Sequence, residues 1–184
     1  LQNVLRDTRF QNGERTLVIL CEEGEETLST ERVKGKVTVK TVTELDALTP
    51  AFLEQAVKDA RAARVCIEYN GMWSLNTLYQ NLPDSWALYQ EMMFADANTF
   101  LSYNANMRQL MVDKLLNCEM IVLNRTPDNI DKDEVHKIVR GVSRRAAITY
   151  DYPDGHVEYD EIEDPLPFDV DADVIVIEDD DYAL

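Results

Sequence analysis

Arg64-Val-Cys-Ile-Glu-Tyr-Asn-Gly-Met-Trp73 is the stretch whose reading decides the fold. Its short apolar run ends in an acid, Glu68, and a glycine, Gly71, follows three positions later. An apolar run without alternation suits a strand buried on both faces, as strands of parallel sheets are. An acid at the carboxyl end of such a strand stands where open α/β sheets bind ligands. A carboxylate there can hold a Mg²⁺-bound water, and a glycine lets backbone approach a phosphate. Any buried strand can end in an acid, so the reading depends on what flanks it.

Two more continuous apolar runs, Thr16-Leu-Val-Ile-Leu-Cys21 and Met120-Ile-Val-Leu-Asn124, predict buried strands. Val37 to Val42 alternates valine with polar residues, the pattern of a half-exposed strand. Thr49-Pro50 opens a helix, with Thr49 as N-cap, Pro50 as first helical residue and Phe52, Leu53, Ala56 and Val57 on its apolar side. Further helices are predicted over 1–10, 74–82, 107–117 and 131–145, and further strands over 88–95 and 146–150. Asn12-Gly13 and Asp151-Tyr-Pro-Asp-Gly155 read as turns. Strands alternating with helices indicate an α/β domain, with a mostly parallel sheet flanked by helices.

The remaining distinctive side chains have plain readings. His136 is expected on the outer surface of its helix, and His156 in a turn. Trp73, Trp86, Met92, Met93 and Met120 are expected to pack, and Arg144-Arg145 to complement a helix carboxyl end.

Composition sets the outer bounds. A chain of 184 residues, 45% hydrophobic, can bury one substantial core, here assigned to residues 1–150. Residues 151–184 form an acidic extension around Pro165 and Pro167, with one expected edge strand, Asp173-Val-Ile-Val-Ile177. Eighteen basic against 35 acidic residues give a net charge of -17, which repels nucleic acid and anionic membranes alike. Cys21, Cys66 and Cys118 are odd in number, far apart and set in apolar runs, the usage of reduced thiols in a cytoplasmic protein. With only two histidines in addition, no Cys/His zinc site is expected. No stretch is long and apolar enough to span a membrane.

Four loops now stand in order, each at the end of a predicted strand: Glu22-Glu-Gly-Glu25, Glu68-Tyr-Asn-Gly71, Asp96-Ala-Asn-Thr-Phe100 and Asn124-Arg-Thr-Pro-Asp128. In order and spacing they resemble the nucleotide-binding domain of the CobW/HypB/UreG family of metal-associated P-loop GTPases. The CobW branch reads roughly N-E-x-G-E, E-T-S-G, V-D-A-x-N-F and N-K-x-D, and the likeness runs from about Leu1 to Tyr150. The resemblance implies a P-loop NTPase-like fold, GTP and Mg²⁺ as cofactors, and GTP hydrolysis in the intact family member. It also implies a link to metal homeostasis, through a metalloprotein client or another protein partner. Under it Glu68 takes the Walker B position near Mg²⁺ and Gly71 the turn of the second switch, ordered by the γ-phosphate. Asn124, Arg125 and Asp128 fall in the guanine-reading loop. Glu22 and Glu25 match an acidic loop near the nucleotide and metal sites, where hard oxygen ligands suit Mg²⁺.

The departures are specific. The phosphate-cradling G-x-x-x-x-G-K-S/T loop is absent, and Leu1-Gln-Asn-Val-Leu5 reads as the helix directly after it. The chain is thus expected to begin just past that loop, lacking the first, normally central, strand. Without the loop's amides and lysine, triphosphate affinity collapses, so this chain alone is expected to be inactive. Losing a central strand would also bare two rows of backbone donors and acceptors, which call for a substitute strand, a partner or a rearranged sheet. The family's C-x-C-C metal motif is missing between Glu25 and Pro50. In the guanine-reading loop Arg125 replaces lysine, Pro127 stands where the aspartate belongs, and Asp128 comes one residue late.

The leading expectation is therefore most of a CobW-like GTPase domain. The alternative is a non-catalytic interaction module on the same scaffold, which the altered guanine loop and acidic extension favour. A third reading, acidic metal buffering by Glu22 to Glu26 and Asp179-Asp-Asp181, competes with the common case of a solvated acidic surface.

Overall fold

Two parallel ladders, rather than one, take up the strands. The computed structural model describes residues 1–22 and 27–164. Glu25 and the expected strand 173–177 lie outside the described residues. The chain runs α1 (Gln2–Arg6), β1 (Thr16–Leu20), β2 (Val37–Thr41), a 3-10 turn (Leu45–Ala47), α2 (Pro50–Ala60), β3 (Arg64–Glu68) and α3 (Leu75–Asn81). It continues with β4 (Met92–Asp96), α4 (Phe100–Asn106), α5 (Arg108–Leu115), β5 (Met120–Asn124), α6 (Lys132–Arg140), β6 (Ala147–Asp151) and β7 (Val157–Tyr159). The first sheet has the order β2-β1-β3 and is wholly parallel; the second has the order β4-β5-β6-β7, with only β7 antiparallel. The architecture is α/β, with mostly parallel strands flanked by helices.

β1 is the centre of the first half because its sequence permits nothing else. Leu17, Val18 and Ile19 are fully buried, on both faces of a strand paired on both sides. α2 crosses over β1 to carry the chain from β2 to β3. Thr49 accepts the Phe52 N–H at 3.2 Å as N-cap, Pro50 opens the helix, and Arg61 closes it in the left-handed region at φ 49°. Leu53, Ala56 and Ala60 then seat α2 on the sheet, in a core shared with Leu48, Leu75 and Leu78. Trp73 and Trp86 pack against this core, as the sequence predicts.

The second half has a core of its own, built from Phe100, Met111, Leu115, Ile121, Leu123, Val135, Val139, Ile148 and Tyr150. Met93 packs against it, while Met92 and Met120 are half-buried. α6 is capped by the Asp131 carboxylate, which accepts the Glu134 N–H at 2.9 Å, with Asp133 and Glu134 in its first turn and Lys137 and Arg140 in its last. The β6–β7 hairpin closes through Tyr152 and Gly155, the glycine at φ 92°. β7 lies beyond residue 150 and yet completes this sheet, so the described part of the acidic extension is built onto the second half.

Several elements are shorter than the sequence predicts. α1 stops at Arg6 because the Asp7 carboxylate turns back onto the Arg9 amide at 2.8 Å, offering the backbone an alternative to helix. The strand predicted from Leu88 begins only at Met92: its partner β5 starts at Met120, so Leu88 to Gln90 have nothing to pair with. The helix predicted over 107–117 forms as α5, Arg108–Leu115, and a helix the sequence reading did not include, α4, precedes it and ends at Met107, whose backbone leaves the helical region at φ -130°, ψ 44°. His136 is the clear correction. Expected on the surface, it is 6% exposed, because residues 160–164 fold over its helix.

Among the described residues β2 and β3 pair only with β1, and β4 only with β5, so the first sheet keeps two full-length parallel edges without a partner and the second keeps one. The halves meet through side chains instead. Leu75 donates its N–H to Asp113 at 3.1 Å, and the Lys114 ammonium donates to the Trp73 carbonyl and stands 5.3 Å from the Tyr69 ring. Tyr79 donates its hydroxyl to Glu91 at 2.6 Å.

Candidate functional site

The motif loops sit at strand ends as predicted, but in two groups. In the first half the β1–β3 ladder runs one residue past β1, Cys21 N–H donating to the carbonyl of Glu68, the last residue of β3, at 2.8 Å. That register brings the Glu22 and Glu68–Gly71 loops side by side. Gly71 donates its N–H to the Glu22 carboxylate at 3.2 Å, and Asn70 donates its side-chain amide to the Cys21 carbonyl at 3.4 Å. Asn70 also accepts the Met72 N–H at 2.8 Å, which fixes the turn that presents Gly71. The Glu68 side chain is exposed at the mouth of this arrangement.

The second group lies at the β4 and β5 ends, where Asp96 and Asn124 are partners in register. Arg125 stands in the left-handed region at φ 52°, an uncommon place for a residue with a Cβ. It is held there by its own Nε on Asp96 at 3.0 Å and by Asn98, which donates to the Arg125 carbonyl at 2.9 Å. Asn98 also donates from its backbone and its side chain to Asp96, and these bonds, the backbone one first, hold the Asp96 carboxyl below its ordinary range against a small opposing effect of burial. Below the loop, Thr126 is buried and pinned by two bonds, its hydroxyl to the Leu123 carbonyl and its N–H to the Asp151 carbonyl. Asn124 Oδ1 is buried without a hydrogen-bond partner among the described residues, whereas Asp128 is exposed and stands apart from it.

The two groups are held by separate sets of contacts. The contacts between the halves run from residues just past the end of β3 (Tyr69, Trp73, Leu75) to residues just ahead of β4 and β5 (Glu91, Asp113, Lys114). Asn124 lies at the far end of β5, about 13 Å along the strand from Met120 at ordinary strand rise. Among the described residues no hydrogen bond or ion pair joins Glu22, Glu68 or Gly71 to Asn124, Arg125 or Asp128.

The donor chemistry is limited. Burial pushes the Cys21 and Cys118 thiols up to about 11 and raises Cys66 as well, so none offers a thiolate at neutral pH. Among the described residues no three His, Cys, Asp or Glu side chains gather closely enough to hold a metal ion. For Mg²⁺ the described residues thus supply Glu68 and little else, and the Gly71 amide is already taken by a carboxylate. For GTP, Asn124 retains an unused acceptor, but the phosphates have no cradle.

Two polar arrangements escaped the sequence reading: the Asp96–Asn98–Arg125 brace, and the bonds from both His136 ring nitrogens to Asp160 and Asp164. The first was within reach, since equal strand lengths put the residues ending β4 and β5 opposite each other. No described helix is long and apolar enough to cross a membrane. No protein-family model matches the chain, nor does any curated protein or solved structure.

Proposed function

We propose that this chain is the greater part of a CobW-like GTP-binding domain whose nucleotide site is completed by one further strand carrying the phosphate loop. A single observation carries this reading. Parallel strands are arrayed as β2-β1-β3 and β4-β5-β6, and β3 and β4 each leave a parallel edge unpaired among the described residues. One parallel strand laid between β3 and β4 would satisfy both edges and unite the halves. Such a strand is central, which is where the resemblance puts the one leading into the phosphate loop. Its insertion would require the Asp113 and Lys114 bridges to yield, and would draw the β1, β3, β4 and β5 ends toward one side. Glu68 would then face Mg²⁺ and Asn124 the base, in a cytoplasmic protein serving metal homeostasis.

The test is to produce the chain together with the residues encoded ahead of Leu1, and to titrate a fluorescent GTP analogue with Mg²⁺. Saturable binding that this chain alone lacks is the expected result; no saturable binding to the extended protein overturns the reading.

Two observations favour a second reading, a non-catalytic interaction module. Pro127 stands where guanine would be read, and Glu22 occupies the Gly71 amide that a γ-phosphate would need. On this reading the strand between β3 and β4 comes from a partner protein, and the extended protein stays indifferent to GTP while gaining a partner-dependent rise in stability.

A further inference from the structure

His136 projects from α6, and each of its ring nitrogens meets a carboxylate of the segment that follows β7. Nδ1 lies 2.5 Å from Asp160 Oδ2, and Nε2 lies 2.9 Å from Asp164 Oδ1. Carboxylates only accept, and a neutral imidazole carries a single N–H, so it can serve one of these partners but not both. Only the imidazolium, with two N–H groups, satisfies this geometry. Arg140, one turn along α6, donates from Nε to the other oxygen of Asp164 at 3.0 Å. Two cations and two anions therefore close on one another. The arrangement is also buried at its root, since the Asp160 side chain is 3% exposed and its backbone N–H donates to the Ile148 carbonyl at 2.9 Å.

We propose that His136 is a proton-operated clasp: as an imidazolium it holds the acidic segment 160–164 against α6, and on losing its proton it lets that segment go. Loss of the proton leaves Asp160 buried with one donor fewer and cancels half of the cationic charge facing two carboxylates. A buried charge deprived of its partner is strongly destabilising, so the segment is driven into water. Arg140 alone cannot replace the clasp, because its guanidinium is also bonded to the Ser143 and Ala146 carbonyls.

The surroundings leave His136 as the group that titrates. On α6 its charged neighbours are Lys132, which pairs with Glu158 of β7, and Arg140. From β6, Tyr150 stands near Asp160 and is pushed far above its ordinary range by burial first, so it stays neutral. Burial also acts on His136, in the lowering direction, but its bonds to Asp160 and Asp164 and their charges prevail, and its net shift is upward. The sign follows. A folded-state pKa above the ordinary histidine value of about 6.5 means that the clasp contributes fully below that pH. Its contribution is lost as pH rises through the raised folded value. On the acid side burial favours protonated Asp164, while His136 and Arg140 outweigh that and hold it below its ordinary 3.8. The clasp therefore also fails on strong acidification, as pH falls through that lowered value.

Two measurements on the full chain test this. NMR titration of the imidazoles should find His136 carrying both ring protons while the clasp is closed, with a pKa above the ordinary 6.5. Hydrogen exchange at the Asp160 and Ile162 amides, corrected for the intrinsic rate, should quicken at least tenfold across the same transition while β5 amides keep their protection. Asp164→Asn, at the half-exposed end of the clasp, should lower the His136 pKa and move the exchange step to lower pH with the fold intact. His136→Gln should abolish the step, and if that variant does not fold, Asp164→Asn still decides. A His136 that titrates at or below 6.5, an Asp160 amide indifferent to pH, or protection lost everywhere at once would each overturn the clasp.

Discussion

The two outer strands and the two inner ones meet the edge problem in opposite ways. β7, at the end of the second sheet, has three residues, runs antiparallel and carries the charged Glu158, the usual devices that discourage another chain from pairing. β2, at the end of the first sheet, alternates valine with threonine and lysine. β3 and β4 carry charge only at their ends, Arg64 and Glu68 in the one and Asp96 in the other. Each is five residues of parallel strand, and β4 points Phe94, 47% exposed, away from the core. That difference, more than any one motif, supports the idea of a strand supplied between the halves.

The largest expected effect tests whether the halves are separate. Leu17→Ala in β1 and Ile121→Ala in β5 each empty a fully buried site and should cost about 2–5 kcal/mol. Followed by urea unfolding with probes in each half, Leu17→Ala should shift the transition of the first sheet and Ile121→Ala that of the second. If both transitions move together in both variants, the halves form one cooperative unit and the contrast fails.

A smaller effect concerns the bridge. Asp113→Ala strands the buried Leu75 N–H and should cost about 1.5–3 kcal/mol, the range for a hydrogen bond to a charged group. The loss should appear as weaker coupling between the two transitions. Under the strand-insertion reading the same variant, in the extended protein, should bind the GTP analogue no worse than wild type, because that bridge has already given way.

The smallest effect runs the other way. Arg125→Gly removes a side chain from a left-handed position and gives up only an exposed ion pair, so a stabilisation of about 0.5–1 kcal/mol is expected in thermal or urea melts. A destabilisation would mean that the Asp96–Arg125 brace matters more than backbone strain.

What could be read from the sequence was what local chemistry fixes. Thr16–Leu20 and Met120–Asn124 had to be buried strands, because unbroken apolar runs flanked by turns have no other home. Thr49-Pro50 had to open a helix, and it does. The carboxyl-end positions of Glu22, Glu68, Asp96 and Asn124 followed from the strand assignments. The division into two sheets is not in the sequence reading, which expects one mostly parallel sheet and names a rearranged sheet only as one of three answers to a missing strand, since pairing partners are a tertiary property. His136 was misplaced for the same reason. Its helix position reads as polar, and only the return of residues 160–164, distant in sequence, buries it. How Glu68 and Asn124 stand to one another depends on how the halves pack through Asp113, Lys114 and Glu91, and no local pattern encodes that.

Each sheet is assembled from one unbroken stretch: β1 to β3 lie wholly ahead of Tyr69, and β4 to β7 wholly after it. The earlier half can therefore collapse on the ribosome before the later half has been translated. The stretch from Tyr69 to Tyr159 takes roughly 5–20 s to emerge at ordinary synthesis rates, far longer than a small α/β unit needs to fold. During that interval the bare rim of β3 is presented to solvent or to a nascent neighbour, which makes it the natural point for chaperone surveillance or for docking during synthesis.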